Sequence, residues 1–153
     1  MKKIKAFFSK IPKITWTIAT ASAVAAVNYS IIHSPFVFFA LLVLFAHEIS
    51  HYFMARKLGS KASLPIFIPL PLFAIAFIRA PGLSNESKLK VALSGPIVGS
   101  LTAFILFLLN IIFNFTTSLG LGVLAVSELL LNFVGTDGAK YRSAKRNIAL
   151  CTS

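Results

Sequence analysis

The fifteen Lys and Arg residues of this 153-residue chain fall into three groups, and the sequence between the groups is apolar. Lys2, Lys3, Lys5, Lys10 and Lys13 form the first, Arg56, Lys57, Lys61, Arg79, Lys88 and Lys90 the second, and Lys140, Arg142, Lys145 and Arg146 the third. The apolar stretches read as four helices, at about 14–32, 35–55, 89–114 and 118–137, each near or above the ~20 residues that cross ~30 Å of hydrocarbon. No Lys or Arg interrupts the turns near residues 33–34 and 114–117. With an even number of crossings and the N-terminus inside, every basic residue faces the cytoplasm, as the positive-inside rule requires. The expected architecture is an all-α polytopic membrane protein in which residues 1–153 form one membrane-embedded domain with both termini cytoplasmic.

Composition points the same way. Hydrophobic residues make up 57% of the chain and its mean hydropathy is +0.85, more apolar than an ordinary soluble domain. The lipid bilayer is the expected solvent, and a prokaryotic cytoplasmic membrane the expected location. The net charge of +11 does not imply nucleic acid as a partner, because the Phe residues lie in charge-free runs instead of among the basic ones. The lone Cys151 can form no internal disulfide. Ala21-Ser22-Ala23 resembles a signal-peptide cleavage site, but apolar character continues to Ile32, which favours a retained helix.

The inner connection, residues 56–88, is unusual for a loop. Its stretch from Ser63 to Ile78 is apolar throughout, and Pro65, Pro69 and Pro71 prevent a regular helix there. Irregular backbone at membrane depth survives only where protein buries it or where it lines a wet cavity. Residues 63–82 are therefore expected to form either a re-entrant or interfacial hairpin over a site, or a plain interfacial loop.

The chain has only three His and four acidic residues, Glu48, Glu86, Glu128 and Asp137. His47-Glu48-Ile49-Ser50-His51 falls within the second apolar segment, and the i, i+4 spacing stacks both imidazoles on one helical face. Two neutral imidazoles so spaced can reach one Zn²⁺, and Glu48 beside them can take a proton from water. The same pattern occurs by chance as an exposed polar face of soluble helices. In a bilayer, however, an acidic residue at mid-helix costs about 2.5–3.5 kcal/mol, so such groups turn inward and find partners.

A catalytic zinc site takes three protein ligands and leaves one position open. Asp137 is the expected third ligand, since it ends the fourth apolar segment just before Lys140, at the depth where His47 and His51 precede Arg56. Gly138 would let the chain turn after it. Glu128 is the competitor; it lies about 13 Å further along a helix axis at 1.5 Å per residue, too far to share an ion with Asp137. His33 is expected at the outer interface, and Glu86 as a solvated loop charge. Gly95-Pro96-Ile97-Val98-Gly99 combines a kinking proline with small residues at i, i+4. Close helix packing is the preferred reading and a substrate-facing role the other.

These blocks together resemble the site-2 protease family of intramembrane zinc metalloproteases. The resemblance covers roughly residues 40–142: His47 to Gly59, Ser63 to Pro69, Ala76 to Arg79, Ser94-Gly95-Pro96 and Thr136-Asp137-Gly138. It implies one Zn²⁺ per chain held by His47, His51 and Asp137, with Glu48 as catalytic base and a transmembrane protein as substrate. The length leaves no room for a PDZ or CBS domain, so a minimal core, or a truncated one, is expected. The sequence departs from the family at Ser50, where Gly is usual, and in the last motif, where Leu129 and Asn132 stand at the usual Asn and Pro. Asn132, one helical turn on, is then the candidate for positioning substrate, with Gly95 and Pro96. The rival expectations are a non-catalytic zinc-binding pseudoprotease, a partner-binding membrane protein and, more weakly, a metal transporter.

Overall fold

The computed structural model describes residues 13–70, 73–114, 120, 122–124, 126 and 136–152. Its elements are α1 (Lys13–Ile32), α2 (Phe36–Lys57), β1 (Ile66–Leu70), β2 (Phe73–Phe77), α3 (Asn85–Phe113) and α4 (Thr136–Thr152). Most of the expected fourth helix, 118–137, lies outside the described residues, as do Glu128, Leu129 and Asn132.

Among the described residues two helices, α2 and α3, are long and apolar enough to cross a membrane. The expectation of four spans is supported for these two. α1 has 20 residues, but Thr15, Thr17, Thr20, Ser22, Asn28 and Ser30 dilute its apolar character. The outward surfaces of α2 and α3 carry exposed Phe38, Leu42, Phe53, Ile97, Leu101, Phe104, Ile112 and Phe113. Apolar surface on this scale suits lipid better than water, which points to membrane association.

α2 and α3 run antiparallel as the central pair. Val43 packs with Ala103 and Leu106 in the core, joined by Phe36, Phe39, Phe107 and Leu124. Ala103 and the buried Gly95 and Gly99 present small side chains along α3, so the backbones approach closely. Each helix end has its own stop signal. α2 closes on Gly59, at φ +85°, with Gly59 N donating to Arg56 O at 3.1 Å and Ser60 N to Ala55 O at 3.0 Å, the paired bonds of a Schellman cap. α3 begins earlier than expected because Ser84 caps it, its hydroxyl accepting from Ser87 N at 3.2 Å. Glu86 thus stands in a first helical turn and not in a loop.

The proline-bearing segment is an antiparallel hairpin with Ile66 opposite Phe77 and Leu70 opposite Phe73. In β1, Phe67 points inward while Ile66 and Ile68 stay exposed, the alternation of a strand with one covered face. Pro69 is tolerated because a two-stranded sheet has open edges. The hairpin is fastened to α1: Thr17 Oγ1 donates to Pro65 O at 2.7 Å, and Phe67 N donates to Thr20 Oγ1 at 3.2 Å. Phe67 also stacks on Phe45 of α2. At its base Ser63 N donates to Arg79 O at 2.9 Å.

One expectation is corrected by α4. The helix does not stop at Asp137; this residue lies in the first turn of the polar helix Thr136–Thr152. Gly138 is helical and buried instead of turning the chain. The sequence Lys140-Tyr141-Arg142-Ser143-Ala144-Lys145-Arg146 is made of adequate helix formers, and a carboxylate in the first turn suits the positive end of the helix dipole.

Candidate metal centre

His47 and His51 lie in the last half of α2, one turn apart on the face turned to α3. Both are buried, and their rings meet edge to face with centroids 4.9 Å apart. Their Nε2 atoms converge on a single oxygen: Oδ2 of Asp137 is 3.1 Å from His47 Nε2 and 3.2 Å from His51 Nε2. One ligand atom from each of the three residues lies within 4.8 Å of the others. Helices distant in sequence thus bring together the three residues expected as ligands.

The ring of His51 is oriented from behind. Its Nδ1 lies 2.7 Å from the carbonyl oxygen of Val91 on α3, which can only accept, so Nδ1 carries the proton. With that proton on Nδ1, the neutral ring would offer a metal the lone pair of Nε2, on the side of Asp137, the tautomer a metal ligand needs. Ser94 donates to the same carbonyl at 2.8 Å and stands 3.4 Å from Nδ1.

Gly95 forms the floor. A Cβ built there would collide with the His51 ring and stand 2.6 Å from His47 Nε2. The absence of a side chain at this position therefore keeps open the space onto which both Nε2 atoms face. Two imidazoles, one carboxylate and a cradle that a single methyl would fill are compatible with zinc, which favours such nitrogen and oxygen donors.

Glu48 shares a cleft of about 550 Å³ with His51 and Asp137, closed on other sides by Ile78 and Leu83, Val91 and Ala92 of α3, and Lys140 of α4. Lys140 Nζ donates to Asp137 Oδ1 at 3.0 Å. The residues beyond the hairpin therefore wall the site.

Of the other sequence candidates, Pro96 is buried in α3 next to Gly95, within the helix contact. His33 sits at the far end of α2, in the turn after α1, with φ 50° and its ring 6.4 Å from Tyr29. Asn132 is outside the described residues. Sequence reasoning missed Val91, Ser94 and Lys140. The partner of an imidazole on another helix leaves no local signature, although Lys140, one turn beyond Asp137, was detectable once that stretch is read as helix.

Three curated relatives match part of the chain. A "Probable zinc metalloprotease EGY2, chloroplastic" of Arabidopsis thaliana is 38% identical over 74 residues, covering 46% of this chain and 13% of the relative. Proteins of the same name from Oryza sativa subsp. indica and subsp. japonica are each 38% identical over 79 residues, covering 49% of this chain and 14% of theirs. The matched stretch is thus about half of this chain and a small part of each relative. No family model matches the chain. No solved structure matches it. Over about half its length the chain is homologous to proteins named as zinc metalloproteases, and that homology supports the site-2 protease resemblance carried by its motifs.

Proposed function

We propose that this protein is an intramembrane zinc metalloprotease that hydrolyses a peptide bond within or near the transmembrane segment of a membrane-protein substrate. The observation that carries the reading is the convergence of His47 and His51 on Asp137 above Gly95, with Glu48 in the same cleft. His47, His51 and Asp137 hold one zinc ion. When bound, zinc supplies a Lewis acid that polarises the scissile carbonyl and acidifies water. Glu48 takes the proton from the attacking water on its carboxylate and passes it to the nitrogen of the leaving amine. Val91, through its carbonyl, keeps His51 in the tautomer that leaves Nε2 unprotonated.

A helical substrate hides its amides in its own hydrogen bonds, so cleavage requires local unwinding. The hairpin offers an open strand edge to an extended chain, and residues 78–83 connect it to the wall of the cleft. Unimpaired cleavage after Pro65 to Phe73 are replaced by a flexible linker would count against that role. The site lies toward the end of α2 that carries Arg56 and Lys57, and the neighbouring α4 carries Lys140 and Arg142; by the positive-inside rule these charges support a cleft in the cytoplasmic half of the bilayer.

The test is to purify the protein in detergent, count zinc, and follow cleavage of membrane substrates by wild type and Glu48→Ala. Zinc in both with cleavage by wild type alone is the expected result. Zinc in both with cleavage by neither, across several substrates, would favour a pseudoprotease, the reading to which Leu129 in the last motif lends weight. Wild type devoid of zinc would sink both.

A further inference from the structure

We infer that Lys140 is a positioning residue of the metal centre: by holding Oδ1 of Asp137 it makes this carboxylate a one-oxygen ligand and so preserves an open coordination position. The inference rests on the zinc reading above. It starts from the two oxygens of Asp137, which have different neighbours. Oδ2 faces Nε2 of His47 and of His51, at 3.1 and 3.2 Å, while Oδ1 accepts from Lys140 Nζ at 3.0 Å.

Asp137 and Lys140 are one turn apart on α4, so both are placed by a single helix that packs on α3. In an ordinary surface pair both partners are solvated. Here the Asp137 side chain is 13% exposed and that of Lys140 68%, so the acid lies inside the cleft and the ammonium at its mouth. The cation keeps most of its hydration, and its hold on Oδ1 carries little desolvation cost. A carboxylate whose second oxygen is free can bind a metal through both. That would add a fifth donor around the ion and crowd the position a catalytic zinc site leaves for water. With Oδ1 engaged by Lys140, only Oδ2 is presented to the imidazole pair. Metal affinity is a poor reporter of this role, because the ammonium repels a dication while it orders the ligand. Coordination number is the direct one.

The experiment titrates the metal-free full chain, in detergent micelles, with Co²⁺, which accepts zinc's ligands and whose visible absorption is strong in four-coordinate and weaker in five-coordinate geometry. Wild type is expected to give the strong spectrum. Lys140→Met gives a weakened, shifted one, and Lys140→Arg, which keeps a cationic donor, restores the wild-type form. Thermal unfolding of the metal-free variants is followed in parallel, and Lys140→Gln replaces Lys140→Met should the latter not fold. The same spectrum in wild type and the neutral variant, or the same change in Lys140→Arg, overturns the role of Lys140 and leaves the zinc reading standing. No cobalt spectrum in wild type overturns the zinc reading, and the role of Lys140 with it.

Discussion

Gly95 of α3 lies directly against His51 of α2, so close that any side chain at position 95 would enter the imidazole ring. The contact joins the two apolar helices at the point where both ligand nitrogens converge. Gly95→Ala is therefore predicted to lose bound zinc. Accommodating the methyl requires His51 to rotate or the helices to part, an overpacking cost of about 1–3 kcal/mol that an antiparallel pair of this length can absorb. Metal analysis of the purified variant, with helical content followed by circular dichroism, checks it. Full zinc occupancy in a folded Gly95→Ala protein would contradict the steric account.

The third ligand separates two acids that sequence spacing left in competition. Asp137→Ala is predicted to strip zinc, because it removes the oxygen that both Nε2 atoms face at 3.1 and 3.2 Å. Glu128→Gln is predicted to retain it, since both Nε2 atoms converge on Asp137. Zinc retained by the first and lost by the second would reverse the assignment.

Much of this centre was legible in the sequence because it is local. The i, i+4 spacing of His47 and His51 needs only a helix to place both imidazoles on one face, and prolines 65, 69 and 71 needed only their missing donors to exclude a helix from the segment that became the hairpin. What was not legible depends on partners distant in sequence. Gly95 reads first as a packing residue, which it is, but the pairing of α2 with α3 decides that it packs against His51. The fall in hydropathy after Asp137 reads as a helix end, yet the described helix Thr136–Thr152 runs on through it, because hydropathy alone does not distinguish a helix end from a polar helical stretch.

Glu48 lines the cleft but is not among the three converging ligand residues. Glu48→Gln keeps the shape and removes the base, so it is predicted to bind zinc as wild type does while cleavage falls about 10²–10⁴-fold, the usual worth of a positioned proton acceptor. Zinc content and single-turnover cleavage measured on the same preparation check both halves. Loss of zinc in this variant would make Glu48 a ligand and not a base.

The hairpin is held by two hydroxyls of α1, and the two bonds fail differently. Thr17 is buried at 3% exposure and donates to Pro65 O, so Thr17→Val leaves a buried carbonyl without that donor and is predicted to cost about 1–3 kcal/mol. Thr20 accepts from Phe67 N and is less enclosed, with its own hydroxyl turned to Trp16 O at 2.8 Å; Thr20→Val is predicted to cost less, about 0.5–1.5 kcal/mol. Neither residue touches the metal ligands, so zinc content should stay at the wild-type level while the hairpin loosens from α1. Limited proteolysis between Ile66 and Phe77 is the measurement, with cutting fastest in Thr17→Val, slower in Thr20→Val and slowest in wild type. Equal rates in all three would mean that the stacking of Phe67 on Phe45, at 6.1 Å between centroids, holds the hairpin without help from α1.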